Sequence, residues 1–267
     1  MPTVAVLAFP GTNCEYESAR ACRAAGLEAE IIRWNQPEKL RAADAFLLAG
    51  GFSFEDRVRA GAIAAKEAVL DVIVEAAEAG KPVLGICNGA QVLLESGLVP
   101  GLAEGHPVEA ALDANERGYL CRWCYVEVAE PQKSLFTTRF APGEVWPLPL
   151  AHGEGRFTTA DPEVAERISA AGLGVLSYVS PGGDAAAGYP DNPNGSLFDL
   201  AGLGNAAGNV LALMPHPERA ERLWQLPSYL AGEWGGRRRE LNGSTPLDAP
   251  GPGRKIFGSL AAHLGVG

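Results

Sequence analysis

The feature that most limits the fold of this chain is a series of short, wholly apolar runs, each closing at a polar or glycine-containing turn and leading into a stretch of helical character. Val4 to Phe9 leads through Pro10-Gly11 into a helical stretch over Glu15 to Ala25, which Gly26 closes. Ala29 to Trp34 and Ala45 to Ala49 are two further runs. Ala62 to Ala79 reads as a long helix ending at Gly80, and Val83 to Ile86 leads into a helix from Gly89. Strands that are apolar throughout need cover on both faces, and strands alternating with helices pair in parallel. The first ~100 residues are therefore expected to be doubly wound α/β, a mostly parallel sheet flanked by helices.

Beyond Pro100 the pattern shifts to β-rich pieces at Trp123 to Ala129, Val145 to Leu150 and Val175 to Val179, separated by Gly/Pro turns. Asn209 to Met214 then reads as one more buried strand. No long polar linker separates the halves, so these pieces are expected as antiparallel β insertions within a single domain over residues 1–267. The segment 227–254 collects Gly, Pro, Ser and the trio Arg237-Arg238-Arg239 with little apolar periodicity. It reads as a surface excursion or mobile loop, after which Ile256 to Leu264 returns as a short helix.

Charge narrows the possible partners. With 22 Lys+Arg against 32 Asp+Glu, a net charge of -10 does not suit a surface that neutralises phosphate backbones or sits on an anionic membrane. The apolar run at the N-terminus is too short for a signal h-region and no run approaches a membrane span, so a cytoplasmic protein is expected. Five cysteines, an odd number, argue against a disulfide framework. Cys121 and Cys124 form a C-x-x-C, but there is no second ligand pair at finger-like spacing, and no metal site is expected. Cys14 and Cys22 read as ordinary loop and helix residues.

Three runs carry chemistry. In Val83-Leu84-Gly85-Ile86-Cys87-Asn88-Gly89-Ala90-Gln91 a buried strand turns sharply into a helix around a polar residue flanked by glycines. That layout lifts Cys87 out of the sheet edge, exposed, at a helix N-terminus whose dipole favours thiolate. The bland alternative is a small buried hydrophobe at a strand end. Gly50-Gly51-Phe52-Ser53 follows the third strand. The Gly51 and Asn88 amides would make a two-donor oxyanion hole, although a Gly-Gly pair alone is more often a plain turn. Finally, Met214-Pro215-His216-Pro217-Glu218-Arg219 ends a buried strand in an imidazole held between prolines, with Glu218 placed to bond the far ring nitrogen.

These residues resemble the triad-type (class I) glutamine amidotransferases, which use Cys, His and Glu in this chain order. The resemblance is closest to the family of glutaminase subunits of phosphoribosylformylglycinamidine synthase. It extends over Pro10-Gly11-Thr12-Asn13-Cys14-Glu15, Gly50 to Ser53 with Arg59-Ala60-Gly61-Ala62, Gly85 to Gln91, Ala151 to Phe157, Asn192 to Ser196 and Met214 to Arg219. It departs from the family at Ala90, where relatives often carry an aromatic residue, and at Glu55-Asp56-Arg57.

The resemblance implies a flavodoxin-like fold, with Cys87 attacking glutamine, His216 as general base and acid, and Glu218 orienting the ring. It implies glutamine contacts at Gly50, Phe52, Gln91, Arg122, Trp123, His152 and Gly153. It further implies ammonia delivery to a large synthetase subunit, with a small third subunit, in the conversion of formylglycinamide ribonucleotide to its amidine. No G-x-x-x-x-G-K-[ST] run is present, so this chain is expected to need no cofactor, with ATP and Mg bound by the synthetase. Two other readings of the elbow remain: a hydrolase or stress-protein relative acting on peptides or aldehydes, and a non-catalytic module holding an anion at a helix N-terminus.

Overall fold

The apolar runs do form a continuous sheet. In a computed structural model describing residues 1–241 and 243–266, the parallel part comprises β1 (Thr3–Ala8), β2 (Glu28–Arg33), β3 (Ala45–Leu48) and β4 (Val83–Ile86). Helices α1 (Glu15–Ala24), α2 (Pro37–Leu40), α3 (Ala68–Glu78) and α4 (Asn88–Glu95) intervene. The later chain adds β5 (Ala111–Ala114), β6 (Leu120–Val128), β7 (Glu144–His152), β8 (Glu154–Thr158), α5 (Pro162–Ala170), β9 (Gly174–Val179), β10 (Leu200–Gly204) and β11 (Val210–Leu213). Helices α6 (Gly232–Arg239) and α7 (Arg254–His263) follow.

Nine strands form one sheet in the order β2-β1-β3-β4-β11-β10-β9-β6-β7, while β5 and β8 pair separately. β2, β1, β3, β4 and β11 run parallel, and β10, β9, β6 and β7 join antiparallel. This is the expected α/β architecture with antiparallel additions. All four residues of β3, of β4 and of β11 are buried, as strands covered on both faces require. Removing each such Leu or Phe side chain from water contributes about 1.5–3 kcal/mol. β11 lies beside β4 with Leu213 opposite Ile86, so the chain segments leaving the two strands emerge side by side at the carboxyl edge. That register positions the site, since open α/β sheets bind ligands at this edge.

Several elements differ from the sequence reading. The helix expected over 62–79 begins only at Ala68, because Glu67 is extended. Just upstream, Gly61 lies so close to α4 that a β-carbon there would stand 2.7 Å from the backbone of Gln91. α5 went unread, although Asp161 caps it by accepting from the Glu163 amide at 2.9 Å and Pro162 starts it. Segment 227–254, expected to be a loop, contains α6. There Arg238 donates to the Leu226 carbonyl at 2.6 Å and Arg239 to those of Ser228 and Leu230 at 3.0 Å, so two of the basic trio tie the segment down. Their charges also fall at the helix C-terminus, where they offset the dipole. Asn242, within the same segment, lies outside the described residues.

Candidate active site

Between β4 and α4 the chain reverses within one residue. Cys87 occupies it at φ 52°, ψ -106°, a conformation that costs a side-chain-bearing residue about 1–3 kcal/mol and needs over-determination by its surroundings. The Cys87 amide donates to the Leu213 carbonyl at 2.8 Å, and its carbonyl accepts from the Gln91 amide at 3.1 Å. The flanking glycines permit the turn to pack: a β-carbon on Gly85 would stand 2.6 Å from the Gly89 carbonyl oxygen, and one on Gly89 only 1.9 Å from that of Leu48. The strand-turn-helix read from sequence is thus present.

Exposure of the sulfur is not. Cys87 is only 5% exposed, and its thiol faces the carbonyl of Ala151, in β7, at 3.8 Å. Cys87 nevertheless lies next to His216 across Gly50: a β-carbon on that glycine would stand 3.4 Å from Cβ of Cys87 and 2.9 Å from Cε1 of His216.

His216 leaves β11 through Pro215 and is fixed by its amide, which donates to the Pro149 carbonyl at 2.8 Å. Its Nδ1 stands 2.5 Å from Oε1 of Glu218, and the two residues are 2% and 0% exposed. Among the described residues Nε2 has no hydrogen-bond partner, nor has Oε2 of Glu218. Burial works against a charged ring, but the Glu218 carboxylate, with the sulfurs of Cys87 and Cys14 beside it, outweighs burial and holds the imidazole well above its ordinary pKa. The carboxylate therefore fixes the ring's orientation and supports the imidazolium, leaving Nε2 for a proton transfer.

The loop after β3 borders the same space. A β-carbon on Gly50 would stand 2.9 Å from Cε1 of His216. Gly51, at φ 148°, is pressed against the Gly11–Asn13 backbone, where a β-carbon would meet atoms at 2.7 and 2.8 Å. Asn88 pins this loop to the elbow: its Oδ1 accepts from the Ser53 amide at 3.0 Å, and its Nδ2 donates to Asp56 at 3.2 Å and Gln91 at 2.8 Å. Gln91 in turn donates to the Glu154 carbonyl at 2.6 Å, so its amide is engaged within the protein. Phe52 is exposed.

The remaining anticipated contacts divide. His152 ends β7, buried, with both ring nitrogens unpartnered, and burial followed by the charge of His216 lowers its pKa to about 3. It is a neutral ring at any working pH. Its carbonyl accepts from Asn115 Nδ2 at 2.8 Å and that of Gly153 from the Asn115 amide at 2.8 Å, so Asn115 shapes this loop. Arg122 and Trp123 instead line a neighbouring cleft of about 630 Å³ with Tyr119, Tyr189 and Tyr229. Tyr119 links the two regions: burial raises its pKa, and the Cys87 charge adds to the shift. The larger cavity, about 1040 Å³, lies among Trp234, Arg237, Arg254 and Lys255 and contains no residue of the triad.

Sequence reasoning missed Asn115, Asp56, Cys14 and Arg219. Asp56 has its pKa raised to about 6 by burial and by Glu154, against the hydrogen bond from Asn88. Cys14, read as an ordinary loop residue, presents its sulfur beside His216 and Glu218 and 3.0 Å from Nη2 of Arg219. Its only signal was its place in the Asn-Cys-Glu run.

The chain is similar to known proteins in sequence and fold. The model of the CobB/CobQ-like glutamine amidotransferase domain family matches residues 1–245. The phosphoribosylformylglycinamidine synthase subunit PurQ of Methanothrix thermoacetophila is 42% identical over 98% of this chain and 97% of its own. Among solved structures, PurLQS from Thermotoga maritima contains a chain that superposes with a TM-score of 0.72 at 32% identity, over 98% of this chain and 99% of that one. The glutaminase domain of Trypanosoma brucei CTPS, at 14% identity and a TM-score of 0.56 over 100% of this chain and 95% of that one, shares the fold. The chain belongs to the class I glutamine amidotransferases, within the family of PurQ subunits of phosphoribosylformylglycinamidine synthase.

Proposed function

We propose that Cys87, His216 and Glu218 carry out the glutaminase reaction of this subunit as a triad. The Cys87 sulfur attacks the side-chain amide carbon of glutamine while Nε2 of His216 protonates the departing ammonia. The same nitrogen then takes a proton from water, which hydrolyses the glutamyl thioester. Glu218 holds the ring from the opposite nitrogen. The amides of Gly51 and Asn88 receive the oxyanion, where loss of one donor typically costs about 2.7–4 kcal/mol of barrier. The observation that carries this reading is the buried His216–Glu218 couple, its Nε2 unpartnered among the described residues, bordering Gly50 together with the strained Cys87 elbow.

Glutamine is then held by the Gly50–Phe52 loop and the His152-Gly153 turn, with Arg122 and Trp123 at the approach, while Gln91, engaged by Asn88 and Glu154, braces the elbow from within. The ammonia passes to a large ATP- and Mg-dependent synthetase subunit, assisted by a small third subunit, which converts formylglycinamide ribonucleotide to its amidine in purine biosynthesis. The chain itself needs no cofactor and works in the cytoplasm. No described helix is long and apolar enough to cross a membrane, which is compatible with that setting.

The test follows nitrogen. With glutamine labelled in its amide, the chain is mixed with the synthetase and small subunits, ATP, Mg and formylglycinamide ribonucleotide. Label is expected in the amidine, and Cys87→Ala should abolish its transfer while free ammonia still supports synthesis. Label transfer that survives Cys87→Ala would overturn the assignment.

A further inference from the structure

The triad does not account for Cys14. This residue precedes α1 and is 1% exposed, yet its sulfur lies against the catalytic cluster: sulfur, a His216 nitrogen and a Glu218 oxygen all fall within 4.8 Å of one another. The missing side chain of Gly50 is what separates it from Cys87. A β-carbon at that glycine would stand 3.1 Å from Sγ of Cys14 and 3.4 Å from Cβ of Cys87, too close for either, so the two cysteines approach each other across Gly50 with no side chain between them. Both interact with the same imidazole.

Two chemistries could use such a cluster, and charge decides between them. Thiol, imidazole and carboxylate are a donor set for a thiophilic cation. The guanidinium of Arg219, however, stands 3.0 Å from the Cys14 sulfur, placing a positive charge where an ion would sit. The same charge favours a sulfur acting as nucleophile.

We propose that Cys14 is a resolving thiol, which forms a disulfide with Cys87 when a peroxide oxidises the active site. The inference rests on Cys87 being the reactive thiol. The Cys87 thiolate attacks one oxygen of the peroxide; the O–O bond breaks and hydroxide leaves, giving the sulfenic acid. The Cys14 sulfur then attacks the Cys87 sulfur, the S–O bond breaks, and the departing hydroxide takes the Cys14 proton to leave as water. Two thiols are oxidised to one disulfide and hydrogen peroxide is reduced to two waters. Burial raises the Cys14 pKa, which keeps it a thiol at rest. The outcome is reversible protection of the nucleophile, with glutamine hydrolysis halted while the bond lasts.

The experiment uses this chain assembled with its synthetase and small subunits. One portion is exposed to hydrogen peroxide, blocked with iodoacetamide and digested with trypsin. Cys14 and Cys87 are the sole cysteines of the peptides spanning 1–20 and 67–117, so a link between them is unambiguous. The proposal expects that linked pair, loss of glutaminase activity in step with it, and recovery with dithiothreitol. In Cys14→Ser the link is absent and the peroxide-induced loss resists dithiothreitol, because Cys87 proceeds to sulfinic acid. Cys87 oxidised while Cys14 remains alkylated would overturn the proposal, as would equal recovery in Cys14→Ser. A second, untreated portion receives a glutamine-analogue electrophile. Labelling of Cys87 without any disulfide sinks the resolving role alone, whereas failure to label Cys87 sinks the catalytic reading beneath it.

Discussion

Nδ1 of His216 and Oε1 of Glu218 lie 2.5 Å apart in a pair almost sealed from solvent, and among the described residues Nε2 has no hydrogen-bond partner. Orientation of the imidazole therefore depends on one carboxylate. Glu218→Gln keeps the shape but removes the charge and allows the wrong tautomer, so kcat for glutamine hydrolysis should fall about 10³-fold with KM changed little. Steady-state ammonia release measures this; a loss of less than about tenfold would show that Glu218 is not the orienting group.

Asp56 supplies a prediction with a definite sign. Its folded pKa of about 6 lies above the ordinary carboxyl value of 3.8, so between these values the native state holds a proton that the unfolded chain has released. Stability from this group is full below pH 3.8 and is lost as pH rises through about 6. Asp56→Asn should thus stabilise the protein at pH 7.5 by about 1 kcal/mol, allowing for the partial exposure of the carboxyl, and make little difference at pH 4. Thermal melts at the two pH values decide it, and a larger gain at the acid value would reverse the sign.

The elbow's tolerance can be tested at Gly89, where a β-carbon would stand 1.9 Å from the Leu48 carbonyl oxygen. That neighbour is strand backbone and cannot yield locally. Gly89→Ala should lower unfolding free energy by about 1–3 kcal/mol, read from the urea midpoint. An unchanged midpoint would mean that the close approach of α4 to β3 is not required.

Asn115 links the loop beside the site. Its Nδ2 donates to the carbonyls of His152 at 2.8 Å and Gly118 at 2.9 Å, and its Oδ1 accepts from the Gly155 amide at 3.0 Å. Asn115→Ala leaves these groups unpaired, at a cost of about 1–3 kcal/mol. If the His152-Gly153 turn holds glutamine, KM should rise several-fold while kcat changes less. A fall in kcat at constant KM would instead place the turn in the chemical step.

The parallel half of the sheet was legible because Val4 to Phe9, Ala45 to Ala49 and Val83 to Ile86 are apolar without interruption, which only a strand covered on both faces requires. The elbow and the Pro-His-Pro-Glu strand end were legible as local chemistry. β10 escaped because Gly202 and Gly204 read as turn residues, although there they let the strand pack beneath Leu176 and Val175. The α6 helix escaped because Gly235 and Gly236 contradict it locally, and it is held by arginine contacts to the carbonyls of Leu226 and Leu230, outside the helix. For Cys14 and Asp56 the reason is the same in sharper form: their surroundings are set by residues up to some two hundred positions away, and no spacing records that. Cys87 was expected in the open, since the elbow's geometry is local whereas the segments covering it are not.

The central claim is that the sulfur of residue 87 is the atom that bonds to glutamine. An electrophilic glutamine analogue, followed by peptide mass spectrometry, addresses it directly. The account predicts one adduct, on Cys87, forming in step with loss of activity and slowed sharply by His216→Ala. An adduct on Cys14 instead, or complete inactivation with Cys87 unmodified, would contradict it.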